Sequence, residues 1–453
     1  MRSLNPHDPS DVVLEFEPAA GPAIAAAVDR AREAQAKWAL VPAAERGGAL
    51  EAAAMQLRAR SDDFADLIVR EVGKPLREAR GEVERAIRVL HYYGQLVLVP
   101  DGETYPSGDQ SSWLFVRRRP LGVCGLITPW NFPLAIPMWK AAPALAFGNA
   151  VVLKPAPEAS SLAVLMGELL SRHLPAGCFE VVLGDGAQGQ ALVEHDTVRA
   201  VSFTGSVAVG HRVAAAAASR GARVQCEMGG LNASVVLRDA DIEAAARTIA
   251  AAAMGYAGQK CTATSRVIVE RGIAPGLRDA LVGAVEELSV VDPASENCVV
   301  GPVITRAARD NVLAAVQRSG GRLLTGGKPL AESGYYVAPT LVELEDRQDV
   351  LAQQEVFGPV AAVMTAKTAS EAIDIANGTR YGLSAALFTK DLDAAMHFVQ
   401  RMESGLVRIN ASTSGVDYYA PFGGIKDSSH GPREMGVAGR DFFTETRTFL
   451  ISA

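Results

Sequence analysis

The fold is decided by five short apolar runs, VCGLIT (123–128), AVVLKP (150–155), FEVVLGD (179–185), RAVSFTG (199–205) and RVQCEMGG (223–230). Helical patterns separate several of them, among them SLAVLMGELLSRHL (161–174) and VAVGHRVAAAAASR (207–220). Strands that alternate with helices build βαβ units, in which helices cover both faces of a parallel sheet. We therefore predict a Rossmann-like, doubly wound α/β domain that binds a nucleotide.

The rest of the chain extends from this stretch in both directions. Its 453 residues exceed the ~250–300 that one hydrophobic core serves, so we expect a second large domain. Residues 21–95 are Ala-rich with apolar residues at helical spacing, and a second α/β series begins near Leu231. Two strand-like segments, TYPSGDQSSWLFVRRRP (104–120) and FFTETRTFLISA (442–453), belong to no βαβ unit. We expect them to pair with each other and, at an exposed edge, with another subunit.

These patterns predict two α/β domains and a small β arm. The predicted bounds are 1–100 and 121–228 for the nucleotide-binding domain, 229–430 for the second domain, and 101–120 with 431–453 for an oligomerisation arm. We accordingly expect a homodimer or a homotetramer.

Composition and charge exclude several classes of protein. Hydrophobic residues make up 49% and charged residues 21%, which is ordinary for a globular chain and excludes a disordered or fibrous one. The 44 basic and 51 acidic residues give a net charge of −7, so neither nucleic acid nor an anionic membrane is an expected partner. The sequence shows no secretory leader and no apolar window of ~18 residues, so we expect the cytoplasm.

The cysteines argue against a structural role for sulfur. There are five, an odd number without any C-x-x-C pair, at Cys124, Cys178, Cys226, Cys261 and Cys298. This pattern favours neither a disulfide framework nor a zinc site, and we predict no metal. Most of them are expected to be small buried hydrophobes.

Two glycine-rich turns compete as the phosphate-binding site. Gly184, Gly186 and Gly189 spell G-x-G-x-x-G after a strand, but no acidic residue ends the next strand, so we interpret the motif as a tight strand-to-helix turn. FTGSVAVG (203–210) is the better candidate, because Gly205, Ser206 and Gly210 stand where a strand leads into a helix N-terminus.

Three segments carry candidate catalytic residues. Asn131 lies in the rigid turn ITPWNFP (127–133), where a side-chain amide could hold an oxyanion, or could simply cap the following helix. Cys261 has the cationic Lys260 beside it, and a thiol there could be partly ionised and reachable. Glu227 ends a predicted strand, where ligands bind in parallel sheets, although a lone Glu is often only a surface residue.

Taken together, the motifs resemble the aldehyde dehydrogenase superfamily, in register through nearly the whole chain. They are PWNFP (129–133), KPAP (154–157), FTGSVAVG (203–210), EMGG (227–230), GQKC (258–261), QEVFGPV (354–360) and PFGG (421–424). Within the family, GPREMG (431–436), FFTETRT (442–448) and the surroundings of GQKC look similar to bacterial α-ketoglutarate semialdehyde dehydrogenases.

The resemblance implies a reaction and a role for each candidate. Cys261 would attack an aldehyde to form a thiohemiacetal, with the oxyanion held by the Asn131 side chain and the Cys261 backbone N–H. Hydride would pass to NAD or NADP and leave a thioester. Glu227 would activate Cys261 or the water that hydrolyses the thioester.

The resemblance also implies a cofactor set and a substrate tunnel. The cofactor residues are Trp130, Lys154, Glu158, Gly205, Ser206, Gly210, Gly229, Glu355 and Phe357. Many NAD-preferring members carry Glu three residues after the lysine, where this chain has Pro157, so we lean only slightly to NAD. The substrate residues are Phe132, Ile136, Trp139, Lys260, Thr262 and Phe422.

The charge at Lys260 favours an acidic semialdehyde, while the apolar walls leave a hydrophobic aliphatic or aromatic aldehyde as the alternative.

Two interpretations outside the aldehyde dehydrogenases remain open. A nicotinamide-independent Cys hydrolase would need a partnered His, and no His lies in a recognisable motif. A catalytically silent binding protein would have no need of Cys261, Glu227 and Asn131 together.

Overall fold

The computed structural model describes residues 1–330, 333–415 and 417–452. The strands, in chain order, are β1 Arg2–Leu4, β2 Val12–Glu15, β3 Gly102–Tyr105, β4 Ser112–Pro120, β5 Val123–Thr128, β6 Ala150–Pro155, β7 Phe179–Val181, β8 Val198–Thr204, β9 Arg223–Glu227, β10 Asn232–Val236, β11 Thr264–Glu270, β12 Arg322–Thr325, β13 Thr340–Leu344, β14 Val360–Ala366, β15 Tyr381–Gly382, β16 Ser384–Phe388, β17 Leu406–Ile409, β18 Ile425–Lys426, β19 Ser429–His430 and β20 Thr444–Ser452.

The helices are α1 Gly21–Trp38, α2 Ala43–Ala59, α3 Ser61–Val72, α4 Leu76–Leu96, α5 Ala135–Ala146, α6 Ser160–Ser171, α7 Gly186–Glu194, α8 Val207–Ser219, α9 Ile242–Met254, α10 Ala274–Glu286, α11 Arg306–Arg318, α12 Val350–Gln353, α13 Ala369–Asn377, α14 Leu392–Arg401 and α15 Gly436–Phe443. Short 3-10 turns lie at Pro157–Ala159, Gly255–Gly258 and Arg271–Ile273.

The stretch quoted first forms a sheet of order β19-β9-β8-β5-β6-β7. All neighbours are parallel except β19, which runs antiparallel to β9. Every residue of β5 and β6 is buried, as expected for central parallel strands that helices cover on both faces. The chain proceeds from β5 to β6 on one side and later to β8 on the other, so the sheet has a switch point at β5. The predicted Rossmann-like sheet is confirmed.

A second sheet has the order β12-β13-β14-β11-β10-β16-β17. Its pairs are parallel except β12 with β13, so it is a second α/β layer with its own cores on its two faces. The predicted α/β class with two large sheets is therefore confirmed, while the domain bounds stay a prediction.

The two orphan segments pair with each other. In a sheet of order β20-β4-β3, β4 lies antiparallel to β20 from Ser112↔Ser452 to Pro120↔Thr444. The range 431–453 also contains helix α15, which packs on α5 beside the first sheet instead of extending the arm. The role of the arm in assembly stays a prediction.

Candidate active site

Cys261 lies between the turn Gly255–Gly258 and strand β11 and is half-buried. The turn is strained, since Tyr256 and Ala257 have φ of 55° and 53°, in the left-handed region. The Gln259 side chain holds it in place: its Oε1 accepts from the Ile304 N–H at 2.8 Å, and its Nε2 donates to the Pro302 carbonyl at 3.2 Å. The thiol is thus presented by a short, well-anchored segment.

The resting thiol is protonated at neutral pH. Burial raises the pKa of Cys261 to about 12, and the nearby carboxylates of Glu355 and Glu227 add to the rise. Lys260 does not counter this, because its Nζ donates to Glu78 Oε1 on α4 at 2.8 Å. The structure therefore contradicts the expectation that Lys260 leaves this thiol partly ionised, and Cys261 needs a base to become a nucleophile.

Asn131 is buried in the turn that follows β5. Its Nδ2 donates to the Gln259 carbonyl at 3.0 Å, two residues before Cys261, and its second amide hydrogen remains available. The turn is tied to α4 by a buried ion pair of Lys74 and Glu82. Lys74 Nζ donates to the Asn131 carbonyl at 2.7 Å, and Glu82 Oε1 accepts from the Leu134 N–H at 2.9 Å.

Sequence reasoning missed this Lys74–Glu82 pair. Both residues lie among many charges between 74 and 96, in a stretch that looks like the polar side of an amphipathic helix. No local signal marks the pair, because Lys74 precedes Pro75 and the start of α4, whereas Glu82 lies within that helix. Only contact with the turn around Asn131 distinguishes them from surface charges.

Glu227 ends β9 and is 3% exposed. Its Oε2 accepts from Ser429 Oγ at 2.6 Å, while Oε1 is buried and has no hydrogen-bond partner among the described residues. Burial raises the pKa of Glu227 well above its usual value, and the Glu434 carboxylate raises it further. Glu227 therefore carries a proton at any pH below this raised pKa, and it acts as a base only after it has lost that proton.

A second buried network lies behind Glu227 and was also missed. Lys140 of α5 pairs with Glu434, and Lys140 Nζ also donates to Ser202 Oγ at 2.8 Å. Trp139 Nε1 donates to Glu434 Oε2 at 2.9 Å, so this residue is both a pocket wall and part of the network. A lone lysine in the otherwise apolar helix AIPMWKAAPALA was the signal for such a pair.

Glu355 and Phe357 approach Cys261 from the second sheet. Burial raises the pKa of Glu355 to about 7, and its Oε1 accepts from the Gly230 N–H at 3.0 Å. A side chain at Gly229 would overlap the Glu355 carboxylate, so this glycine makes room for it. Phe357 has φ of 54° and meets Trp130 edge-on, with ring centroids 5.6 Å apart.

A pocket of about 610 Å³ lies at the carboxyl ends of β5, β6 and β8. It is lined by Ile127, Thr128, Pro129, Trp130, Lys154, Ala156, Pro157, Asp185, Gly186, Gly189, Gln190, Val193, Glu194, Phe203, Thr204, Gly205, Ser206, Val209, Arg212, Val213 and Ala216. We call it the cofactor pocket. Four of the predicted cofactor residues line it, namely Trp130, Lys154, Gly205 and Ser206.

The cofactor pocket has the features that a dinucleotide requires. The Ser206 hydroxyl makes no capping bond at the start of α8, and Thr204 Oγ1 is buried without a partner among the described residues. Lys154 Nζ donates to the Gly184 carbonyl at 3.3 Å, and burial lowers the Lys154 pKa to about 8. Hydroxyls, a helix N-terminus and a lysine at the switch point fit phosphate and ribose groups.

The other predicted cofactor residues lie elsewhere. Gly210 is buried, and a side chain there would overlap Met228, so it permits close packing of α8. Glu158 does not line the cofactor pocket, and its carbonyl accepts from Ser3 Oγ at 3.3 Å. Glu355 and Phe357 border a small neighbouring cavity. The G-x-G-x-x-G segment forms a capped turn, with Asp185 accepting from the Ala187 N–H at 2.9 Å, and its residues Asp185, Gly186 and Gly189 do line the cofactor pocket.

A second pocket, of about 250 Å³, contains Cys261. We call it the aldehyde pocket; it is lined by Glu78, Gly81, Glu82, Arg85, Phe132, Ile136, Trp139, Lys260, Cys261, Thr262, Ser414, Gly415 and Phe422. All six residues predicted to contact the substrate line it. The face of α4, including Arg85, was not predicted, because its charges look like those of an ordinary exposed helix face.

Two features are absent from residues 1–330, 333–415 and 417–452. No helix in these ranges is long and apolar enough to cross a membrane. No group of three or more His, Cys, Asp or Glu in these ranges is placed to hold a metal ion.

Comparison with known proteins agrees with this geometry. The model of the aldehyde dehydrogenase family matches residues 1–449. The chain is 42% identical to an alpha-ketoglutaric semialdehyde dehydrogenase of Bacillus subtilis, covering 99% of this chain and 93% of that protein. It is 38% identical to an alpha-ketoglutarate semialdehyde dehydrogenase of Haloferax volcanii, covering 99% and 95%.

A solved structure, that of PnpE in complex with nicotinamide adenine dinucleotide, superposes with a TM-score of 0.96 at 35% identity, covering 100% of this chain and 94% of that one. The predicted resemblance is thereby confirmed, and with it a nicotinamide cofactor and a small-molecule aldehyde as substrate. This chain belongs to the aldehyde dehydrogenase family and is an NAD(P)-dependent oxidoreductase.

Proposed function

We propose that this enzyme oxidises an acidic semialdehyde, with α-ketoglutarate semialdehyde as its best substrate, to the corresponding carboxylic acid. The observation that carries the proposal is the aldehyde pocket, in which Cys261 lies together with the cationic Lys260 and Arg85. The relatives named for alpha-ketoglutarate semialdehyde support the same substrate class.

In the first step, Cys261 attacks the aldehyde carbon. Glu227 takes the thiol proton, since a thiol with a pKa of about 12 is a weak nucleophile until it is deprotonated. The new C–S bond turns the carbonyl oxygen into an oxyanion, which the available Asn131 amide hydrogen and the Cys261 backbone N–H stabilise. The Lys74–Glu82 pair supports this by holding the turn that carries Asn131.

Lys154, Gly205 and Ser206 would hold the dinucleotide in the cofactor pocket, and Glu355, whose carboxylate acts on Cys261, would contact it near the thiol. When bound, the nicotinamide supplies the acceptor for hydride, which leaves a thioester on Cys261. We propose NAD as the cofactor. Pro157 has no carboxylate that would repel the 2′-phosphate of NADP, but Asp185, which lines the same pocket, has one.

The last step is hydrolysis of the thioester. Glu227 first releases to solvent the proton that it took from Cys261. A water molecule then attacks the carbonyl carbon while Glu227 Oε1 takes a proton from it. The C–S bond then breaks, its electron pair leaves on Cys261 as a thiolate, and the carboxylic acid is released. Because the pKa of Glu227 is raised, the rate should increase as pH rises toward that pKa.

The substrate charge is recognised on the α4 side of the aldehyde pocket. Lys260 already pairs with Glu78, so its charge is largely compensated before a substrate arrives. Arg85 lines the same pocket one turn beyond Gly81, and its guanidinium has the planar geometry that suits a carboxylate. Carboxylates lie near both cations, since Glu82 and Asp417 act on Arg85 as Glu78 does on Lys260, and we assign the distal carboxylate to Arg85 and Lys260 together.

The apolar walls of the aldehyde pocket support a second candidate substrate, a hydrophobic aldehyde. Phe132, Ile136, Trp139 and Phe422 would suit a hydrophobic aldehyde, such as benzaldehyde. The experiment measures kcat/KM, by absorbance of the reduced cofactor, for α-ketoglutarate semialdehyde, succinate semialdehyde, butanal and benzaldehyde. Butanal matches succinate semialdehyde in chain length but lacks the carboxylate. We expect both acids to exceed butanal by at least about tenfold; a preference for benzaldehyde or butanal would reject the acidic substrate.

A further inference from the structure

We infer that Ser429 is the positioning residue of the general base: its hydroxyl, fixed by the Gly424 N–H, orients the Glu227 carboxylate and favours its ionised form. The inference rests on the proposed role of Glu227 in the reaction. Neither the motifs nor the predicted site residues include Ser429.

The geometry forms a short chain of hydrogen bonds. The Gly424 N–H donates to Ser429 Oγ at 2.6 Å, and Ser429 Oγ donates to Glu227 Oε2, also at 2.6 Å. A hydroxyl has one hydrogen, and the amide occupies an acceptor site on the oxygen. The serine hydrogen is therefore directed at the carboxylate, at a distance typical of a charge-assisted O–H···O⁻ bond.

The backbone places this hydroxyl with little freedom. Ser429 lies in β19 directly opposite Glu227 of β9, in an antiparallel pair at the edge of the first sheet. The hydrogen bond from the Gly424 N–H to Ser429 Oγ joins the two ends of the loop that runs from the PFGG segment to β19. A side chain fixed at cross-strand distance loses little entropy when it binds its partner.

Holding Oε2 decides which oxygen does the chemistry. Oε1 has no hydrogen-bond partner among the described residues and lies against Gly423, where a side chain would come within 2.6 Å of it. Gly423 is adjacent to Phe422, which lines the aldehyde pocket. Oε1 is thus the oxygen that takes the proton, first from Cys261 and later from the hydrolytic water.

Ser429 also acts against strong forces that keep Glu227 protonated. Burial and the Glu434 carboxylate raise the pKa of Glu227, while Ser429, Lys140 and Arg433 lower it. The charge of Glu227 also acts on two thiols, because it raises the pKa values of Cys261 and Cys226. The two cations are themselves engaged, because Lys140 pairs with Glu434 and Arg433 donates to the Gly424 carbonyl. The serine is the one direct hydrogen-bond donor to this carboxylate among the described residues.

The test compares Ser429→Ala with the wild type in an assay that needs no cofactor, the hydrolysis of p-nitrophenyl acetate through acylated Cys261. Loss of a donor to a charged group should move the rising limb of the deacylation pH profile up by about one pH unit. Below the limb the rate should fall about tenfold, since ten times less base is ionised, and at high pH it should return to the wild-type value. KM for the ester should not change.

Further variants make the outcome specific. Ser429→Thr keeps the hydroxyl and should restore the wild-type limb, whereas Ser429→Cys is a weak donor and should shift it. These two carry the test if the alanine variant does not fold. Ser428→Ala is the matched control, because this neighbouring buried serine accepts from the Gly382 N–H at 3.0 Å instead of contacting Glu227. Its pH profile should not shift.

An unshifted limb in Ser429→Ala, or a failure of threonine to restore it, would overturn the role of Ser429. Glu227→Gln separates this from the proposed function. If that variant hydrolyses the ester at the wild-type rate, the base assignment itself fails. If it is inactive while Ser429→Ala is unshifted, Glu227 remains the base and only the inference about Ser429 is rejected.

Discussion

The cofactor pocket and the aldehyde pocket meet at the turn 129–133, where Trp130 lines the first and Phe132 lines the second, yet they are built in different ways. The cofactor pocket comes entirely from residues 127–216, which form consecutive strand ends and helix starts of one sheet. The aldehyde pocket is assembled from four separate parts of the chain, namely 78–85, 132–139, 260–262, and residues 414, 415 and 422.

This difference has a physical consequence. A pocket at consecutive strand ends inherits its shape from the order of the strands and helices, so the residues that line it are close together in the sequence. A pocket built from distant segments depends on which charges happen to meet across it. Lys260 shows this, because its charge is compensated by Glu78 from helix α4. We expect changes in the aldehyde pocket to alter chemistry and substrate choice while cofactor binding survives.

The substitution with the largest expected effect removes the chemistry of the aldehyde pocket and leaves cofactor binding unchanged. Cys261→Ser should lower dehydrogenase turnover by at least about a thousandfold, because a hydroxyl is a far weaker nucleophile. Binding of NAD, measured by calorimetric titration, should stay within about twofold of the wild type, since Cys261 does not line the cofactor pocket. Cys298→Ser is the control, since this thiol donates to the Val291 carbonyl and lines neither pocket. Retained turnover in Cys261→Ser would refute the assigned nucleophile.

A smaller effect should appear within the aldehyde pocket alone. Arg85→Ala should lower kcat/KM for succinate semialdehyde by about ten- to a hundredfold and leave butanal nearly unchanged, since only the acid loses a charge partner. Arg88→Ala is the matched control on the same helix, because Arg88 is exposed and pairs with Glu84 away from this pocket. Equal losses for both aldehydes would mean that Arg85 acts on the pocket's structure instead of the substrate charge.

The smallest effect concerns the cofactor pocket. Pro157→Glu introduces a carboxylate on the pocket wall and should lower kcat/KM for NADP relative to NAD by about three- to tenfold, because a 2′-phosphate is repelled at a partly exposed site. Kinetics with a saturating aldehyde and each cofactor in turn measure the ratio. Glu158→Gln removes a carboxylate one position further, outside this pocket, and should leave the ratio unchanged. A ratio that does not move in Pro157→Glu would place the adenosine ribose elsewhere.

The accuracy of sequence reasoning differs between the pockets for the same reason. Gly205 and Ser206 were predicted from a local strand–turn–helix pattern, Trp130 and Lys154 were implied by the family resemblance, and all four line one pocket. Gly210 was predicted from the same motif and does not line this pocket; a side chain there would overlap Met228, a packing role that the motif alone does not show. Lys74, Glu82 and Ser429 were not found at all, because each matters only through a partner at least eight residues away in sequence.

The sequence by itself determined the α/β class, the parallel sheet, the family resemblance, and Cys261, Glu227 and Asn131 as candidates. Those inferences rest on hydrophobic periodicity and short motifs, which are local properties of a chain. Only the tertiary structure decided that Lys260 is paired, that Arg85 lines the aldehyde pocket, and that Ser429 holds Glu227. Ion pairs and hydrogen bonds act over a few ångströms, so they depend on which residues the fold brings together and not on their order in the chain.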